Sequence, residues 1–304
     1  MNVVMTSPRL AAPAVALIEA AGGVVHYMPP YPTADAISAL ASGLGAVAIL
    51  SRQGPVTRDV MARVPTLRIV ARHGVGVDDV DVAEAARRGI LVTRAPGSNT
   101  RAVAEHTMAL ILALVKRLPA LSAQVAAGGW RDAGTEAGDV AGLRLGLLGY
   151  GEIGRAVAPL AEAFGMTVTP LTRENTAASL PHTDVLSLHL PMNAANRHLI
   201  GRAELAALPP GAFVINTSRG GLIDEAALLA ALDSGHLGGA GLDVFEREPP
   251  DPDDPLRRHR RVIATPHVAG VTPDSMVAMG VMAAECIAAV LRGGMPPSGR
   301  LVRV

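Results

Sequence analysis

Along the chain a short β-rich run, a turn and an Ala/Leu-rich helical stretch recur in that order. The runs Asn2–Met5, Val24–Tyr27, Ala46–Leu50, Arg68–Ala71 and Ile90–Thr93 predict strands, separated by predicted helices at 11–20, 33–41, 57–63 and 79–88. The pattern resumes with strands at Arg144–Leu148, Thr167–Leu171, Val185–Leu190, Phe213–Asn216, Ala240–Val244 and Val262–Ala264, and helices at 152–164, 201–207 and 224–234. Apolar strands alternating with helices imply parallel sheets covered on both faces. Two such series predict an α/β protein of two doubly wound, Rossmann-like domains. The turn cluster Ala95–Thr100 marks one joint and opens an apolar helix at about 100–117. A second crossing falls near His267–Pro273, before a last helix at about 273–292.

One turn is unusual. Gly149, Tyr150, Gly151, Glu152, Ile153 and Gly154 spell Gly-x-Gly-x-x-Gly between an apolar strand and a helix. Alone that spacing is weak; between strand and helix it is a dinucleotide fingerprint. Gly149 permits the tight turn, Gly151 lets backbone approach a pyrophosphate, and Gly154 lets helix and strand pack closely. Free amides and the helix dipole then face phosphate. An acid normally ends the next strand, on the ribose hydroxyls. Here Thr172 and Arg173 stand there, which suits a 2′-phosphate and favours NADP over NAD. Glu174 follows, and a shift of one residue would put its carboxylate on the ribose.

Composition narrows the class. The 304 residues carry 27 basic and 27 acidic side chains, so no electrostatic case exists for nucleic acid or an anionic membrane. Cys286 is the only cysteine, which excludes an intramolecular disulfide and a thiolate metal cage; no metal is expected. Residues 102–115 come closest to a membrane span, and Glu105 and His106 interrupt them. With no signal-peptide layout at the N-terminus, the chain reads as cytoplasmic.

Three further segments place polar residues where strands end: Asn216-Thr217-Ser218-Arg219-Gly220-Gly221, Asp243-Val244-Phe245-Glu246-Arg247-Glu248-Pro249, and Thr265-Pro266-His267. Side chains there can point into the crevice at the carboxyl ends of a parallel sheet. Arg219, before two glycines and just after a buried strand, is one such side chain.

With these segments, and with Arg72-His-Gly-Val-Gly76-Val-Asp78, Asn99-Thr-Arg-Ala-Val-Ala-Glu105-His106-Thr107 and His189-Leu-Pro191, the sequence resembles the D-isomer-specific 2-hydroxyacid dehydrogenases over nearly its whole length. The resemblance implies a cofactor domain, residues 99–270, inserted in a flavodoxin-like substrate domain of residues 1–98 plus 271–304. It implies hydride exchange between NAD(P) and a small 2-hydroxy or 2-keto acid, of the glyoxylate or hydroxypyruvate type. Alternatives are D-3-phosphoglycerate oxidation and a non-catalytic NAD(P)-sensing regulator. It implies Arg219, Glu248 and His267 as the catalytic residues: His267 carries the proton, Glu248 or Glu246 orients the imidazole, and Arg219 holds the carboxylate and polarises the carbonyl; the family's acid precedes proline, which selects Glu248. Leu190, Pro191, Thr217, Ser218 and Asp243 join the glycine loop around the cofactor. Val75 and Gly76 present backbone amides to the substrate carboxylate, Arg52 and Arg72 line the cleft, and Asn99 caps the helix or hinge. Glu105 and His106, at the domain joint, are expected to be buried, either as structural residues or touching the active site. Leu50 stands where phosphoglycerate dehydrogenases carry a phosphate-binding arginine, and Arg52 could substitute for it. The short connection from Arg173 to Asp184 implies a reduced helix. A homodimer is expected through the helix at 100–117.

Overall fold

A computed structural model of the chain describes every residue from Met1 to Arg303. In chain order the first elements are β1 (Asn2–Met5), α1 (Ala12–Glu19), β2 (Val24–Tyr27), α2 (Ala34–Gly43), β3 (Ala48–Ser51), α3 (Arg58–Arg63), β4 (Ile69–Arg72), α4 (Val82–Arg87) and β5 (Leu91–Thr93). Then come α5 (Thr100–Val115), α6 (Leu118–Ala126), β6 (Arg144–Leu148), α7 (Glu152–Ala163), β7 (Thr167–Leu171), α8 (Thr176–Ser179) and β8 (Val185–Leu188). The remainder is α9 (Arg202–Ala207), β9 (Phe213–Asn216), α10 (Glu225–Asp233), β10 (Gly239–Leu242), α11 (Pro255–Arg258), β11 (Val262–Ala264) and α12 (Pro273–Leu291).

The chain divides into two compact units. One comprises Met1–Asn99 and everything from Val271 onward; the other is Thr100–Gly270. Asn99 therefore belongs with the first unit, one residue away from the expected boundary.

In the first unit a five-stranded parallel sheet runs β2-β1-β3-β4-β5. Its inner strands β1, β3 and β4 are short and mostly buried, so they read as apolar runs rather than alternating ones, whereas the edge strand β2 buries none of its residues. Val3, Met5, Leu50, Ile69 and Ala71 face one side, where α1 and α12 cover them with Ile18, Ala283, Ala284, Ile287 and Leu291. Val4, Ile49 and Val70 face the other, against Ile37 and Val60. Helix α12 is long and apolar enough to cross a membrane, more so than residues 102–115, but more than half of it is buried in this core. Thr272 caps it through Ser275, and Pro273 fills its first turn.

The second unit holds a six-stranded parallel sheet in the order β11-β10-β9-β8-β6-β7. The strand order reverses between β6 and β8, which pair side by side. Helices α5 and α7 cover one face with Ile111, Leu114, Val157 and Ala161. Leu186, Leu188, Val214, Leu228 and Leu242 form the core on the other. Between β7 and β8 the connection carries only α8 and a single 3-10 turn at Leu180–His182, the reduced helix that the short linker implies. Two helices have no counterpart in the sequence pattern, α6 and α11. Helix α6 buries none of its residues, so it shows no apolar stripe with a polar complement.

Candidate active site

The glycine loop sits at the reversal point of the six-stranded sheet, the position where open α/β sheets bind ligands. Gly149 leaves β6 at φ +99°, and a Cβ there would lie 2.6 Å from the carbonyl oxygen of His189, just past β8. A Cβ on Gly154 would lie 2.3 Å from the Gly149 carbonyl oxygen. Both positions are closed to any other residue. Gly151, the N-cap of α7, would meet nothing within 4 Å. The loop is therefore tight underneath and open outward, which is the shape a pyrophosphate needs. Glu152 and Ile153 form the first turn of α7, and half-exposed Tyr150 accepts a hydrogen bond from Arg155 through its carbonyl oxygen (2.9 Å).

Beside this loop, Leu171 of β7 pairs with Leu148 of β6, so Thr172 and Arg173 emerge next to it. Asn175 fastens the turn: its Oδ1 accepts from the Thr172 amide (2.7 Å) and its Nδ2 donates to the Pro170 carbonyl oxygen (3.1 Å). The Thr172 hydroxyl bonds the Glu174 carboxylate and, together with the Glu174 amide and the Arg173 charge, holds it below the usual carboxylate range. Arg173 lies exposed on the same turn. Past β8, the Leu190 carbonyl oxygen accepts from Ser218 Oγ (2.8 Å) and that of Pro191 from Asn196 Nδ2 (2.8 Å).

Arg219, Glu248 and His267 follow β9, β10 and β11, three neighbouring strands whose ends share one edge of the sheet. The loops carrying the first two all but touch. A Cβ on Gly220 would fall 1.9 Å from the Phe245 carbonyl carbon, and one on Gly221 2.6 Å from Met192 Sδ. Asn216 secures the Arg219 loop: its Oδ1 accepts from the Ser218 amide (3.0 Å) and its Nδ2 donates to the Arg219 carbonyl oxygen (2.8 Å). Glu248 accepts the Phe245 amide on Oε1 (3.1 Å) and faces His267 Nδ1 with Oε2 (2.6 Å). Glu246 turns away to Arg197 and His198, so it is not the imidazole's partner.

His267 has a backbone φ of +53°, a left-handed conformation that only surrounding bonds can hold in a non-glycine residue. Asp243, 1% exposed, supplies them. Its backbone oxygen accepts the His267 amide (2.8 Å). Its carboxylate accepts Thr265 Oγ1 (2.6 Å) and the amides of Val268 (2.9 Å) and Ala269 (2.8 Å).

The electrostatics follow from these contacts. The bond to Glu248 raises the His267 pKa; burial opposes it, the Glu248 charge adds to it, and the charges of Arg219 and Asp243 pull in opposite directions. Burial pushes the Glu248 carboxyl up, but the bond to His267, the imidazolium charge and the Phe245 amide outweigh it and hold the carboxyl low. The pair therefore favours a carboxylate beside an imidazolium. Nδ1 is committed to Glu248, which leaves Nε2 to exchange a proton with a reacting oxygen. Arg219 adds a guanidinium that can fork a carboxylate or polarise a carbonyl.

The remaining expected residues lie in the first unit. Arg72, the last residue of β4, donates through Nε to the Gly76 carbonyl oxygen (2.9 Å) and through Nη1 to that of Arg52 (3.0 Å). Arg72 thus folds the Gly74–Gly76 loop back on its strand. Val75 and Gly76 are partly exposed there. Arg52 donates to Ser7 Oγ (3.3 Å). Leu50 is fully buried in the core and offers no polar group to a ligand. Two expectations fail. Asn99 Oδ1 is buried with no partner, so it does not cap α5. Glu105 is exposed and paired with Arg101; only its neighbour His106 turns inward, to Thr265.

Residues 108–269 match the family "D-isomer specific 2-hydroxyacid dehydrogenase, NAD binding domain". The chain belongs to that family. A glyoxylate reductase of Korarchaeum cryptofilum is 38% identical over 262 residues, 80% of this chain and 79% of its own. A D-3-phosphoglycerate dehydrogenase of Methanocaldococcus jannaschii is 39% identical over 253 residues, 78% of this chain; the matched part is 48% of that enzyme, so the chain spans about half its length. A Thermus thermophilus protein of known structure superposes with a TM-score of 0.91 at 35% identity, over 100% of both chains.

Proposed function

We propose that this D-2-hydroxyacid dehydrogenase family member is an NADPH-preferring reductase of a small 2-oxo acid of the glyoxylate or hydroxypyruvate type. The observation that carries the reading is the 2.6 Å contact between His267 Nδ1 and Glu248 Oε2 with Arg219 alongside. Reduction of a ketone carbon leaves an oxyanion, and His267 protonates it through Nε2. In the reverse direction His267 accepts that proton. Arg219 holds the substrate carboxylate and polarises the carbonyl. The glycine loop and the amide end of α7 would hold the pyrophosphate of a nicotinamide dinucleotide, which would supply or take up the hydride. The exposed Arg173 guanidinium, with the Glu174 carboxylate occupied by Thr172, supports the preference for a 2′-phosphate.

A second reading, oxidation of a phosphorylated hydroxy acid, is favoured by one observation. Arg52 is half-buried with Arg9 as its charged neighbour and no ion pair to an acid among the described residues, an arrangement that suits a phosphate. We further propose a cytoplasmic homodimer. Leu118, Val125 and Trp130 are exposed on and just after α6, next in sequence to α5, and a second copy would cover them.

The test is turnover of a panel of 2-oxo acids, with and without a phosphate group, using NADPH and NADH in turn. Reduction of glyoxylate or hydroxypyruvate with NADPH is expected, and His267→Ala should slow it by about a hundredfold or more. No turnover of any 2-oxo acid with either cofactor would overturn the reading.

A further inference from the structure

Helix α5 carries two adjacent polar residues, His106 and Thr107, with Ala104, Met108 and Ile111 buried around them. Each reaches a different catalytic loop. Thr107 Oγ1 lies 3.1 Å from Thr217 Oγ1, and His106 Nε2 lies 3.1 Å from Thr265 Oγ1. Thr217 stands two residues before Arg219, and Thr265 two residues before His267. We propose that His106 and Thr107 are positioning residues that together set the spacing between Arg219 and His267. The inference rests on the reading that those two residues are the working groups.

The direction of each bond follows from what its partners already do. Thr107 gives its single hydroxyl proton to the Val103 carbonyl oxygen (2.8 Å), so toward Thr217 it can only accept. The Thr217 hydroxyl therefore donates. Thr265 gives its proton to the Asp243 carboxylate (2.6 Å), so toward His106 it can only accept, and His106 Nε2–H donates. Each loop is held by one oriented hydroxyl bond, and both bonds end on consecutive residues of one helix. Thr107 is fully buried and Thr217 8% exposed, so water does not compete well for their bond. The His106 bond continues through Thr265 into the Asp243 carboxylate, which also holds the amides of Val268 and Ala269 on the far side of His267. A helix backbone fixes the separation of adjacent residues, so the two loops inherit a fixed offset. Arg219 and His267 must meet the same carbonyl group, and a misplacement of about 1 Å can cost about a hundredfold in rate.

The experiment compares Thr107→Val with Thr107→Ser, and His106→Leu with His106→Gln. Val and Leu remove the hydrogen-bonding atom; Ser and Gln keep one. For reduction of whichever 2-oxo acid the wild type turns over, Thr107→Val and His106→Leu should each lower kcat by about tenfold. The KM for the cofactor should stay within about twofold, and Ser and Gln should restore most of the loss. Amide hydrogen exchange on the cofactor-free protein supplies a second readout. His106→Leu should speed exchange at Val268 and Ala269, Thr107→Val at Ser218, each leaving the other loop as in wild type. Unchanged kcat in both apolar variants, a Thr107→Ser loss as deep as that of Thr107→Val, or exchange that rises in both loops alike would overturn the proposal. If the wild type reduces no 2-oxo acid, the catalytic reading has failed, and the exchange pattern alone decides whether the two residues hold the loops.

Discussion

Glu248 Oε2 faces His267 Nδ1 at 2.6 Å, while its other oxygen is anchored by the Phe245 amide at 3.1 Å. The carboxylate is thus fixed from one side and aims the imidazole from the other. Asp243 holds the left-handed backbone beneath the ring, so the two acids divide the work of placing His267.

Glu248→Gln keeps the size of the side chain and removes its charge. The His267 pKa, now raised mainly by that carboxylate, should fall. Reduction needs the protonated ring, so the alkaline limb of kcat/KM against pH should move to lower pH. An unmoved limb would show that another group gives up the proton.

The same pair makes stability depend on pH. His267 has its pKa raised above 6.5, so its contribution is complete below 6.5 and fades as pH rises through the raised value. Glu248 has its pKa lowered below 4.5, so its contribution is complete above 4.5 and fades as pH falls through the lowered value. The Tm difference between wild type and Glu248→Gln should be largest between those limits and should shrink toward alkaline pH. A difference that stays flat with pH would count against the ion pair.

Gly220→Ala would drive a Cβ to 1.9 Å from the Phe245 carbonyl carbon, so the loops carrying Arg219 and Glu248 would have to part. A loss of about 1–3 kcal/mol in urea unfolding is expected, with a larger proportional loss of activity. Gly43→Ala, at the end of α2 with nothing within 4 Å, is the control and should be neutral or stabilising. Equal behaviour of the two variants would refute the steric argument.

Arg173→Ala should raise the KM for NADPH while sparing NADH, by about tenfold for loss of one charge-assisted contact. Equal changes for both cofactors would place the 2′-phosphate elsewhere.

Much of this was legible in the residues. Most strand positions were plain because buried parallel strands are short, apolar and bounded by turns, as in Val185–Leu188. The glycine loop was plain because steric demand restricts Gly149 and Gly154 to one residue type. Asp243 could be named, but its grip on the His267 loop could not: three of its four bonds go to backbone amides, and amides leave no mark in a sequence. Thr265 carries no signal of its own role, because a threonine before proline looks like any strand end. Asn99 misled because a cap is a matter of side-chain direction, not of residue type. Helix α6 escaped because periodicity records burial, and that helix buries nothing within this chain.

Helix α12 packs Ala284, Ile287 and Leu291 onto the same core as Val3, Met5 and Ile18. During synthesis those early residues leave the ribosome long before their cover does. Thr100–Gly270, by contrast, is continuous and complete before α12 is made. The stretch translated before Thr100 therefore belongs to the unit that finishes folding later, and for that interval its β1 face lacks its native cover.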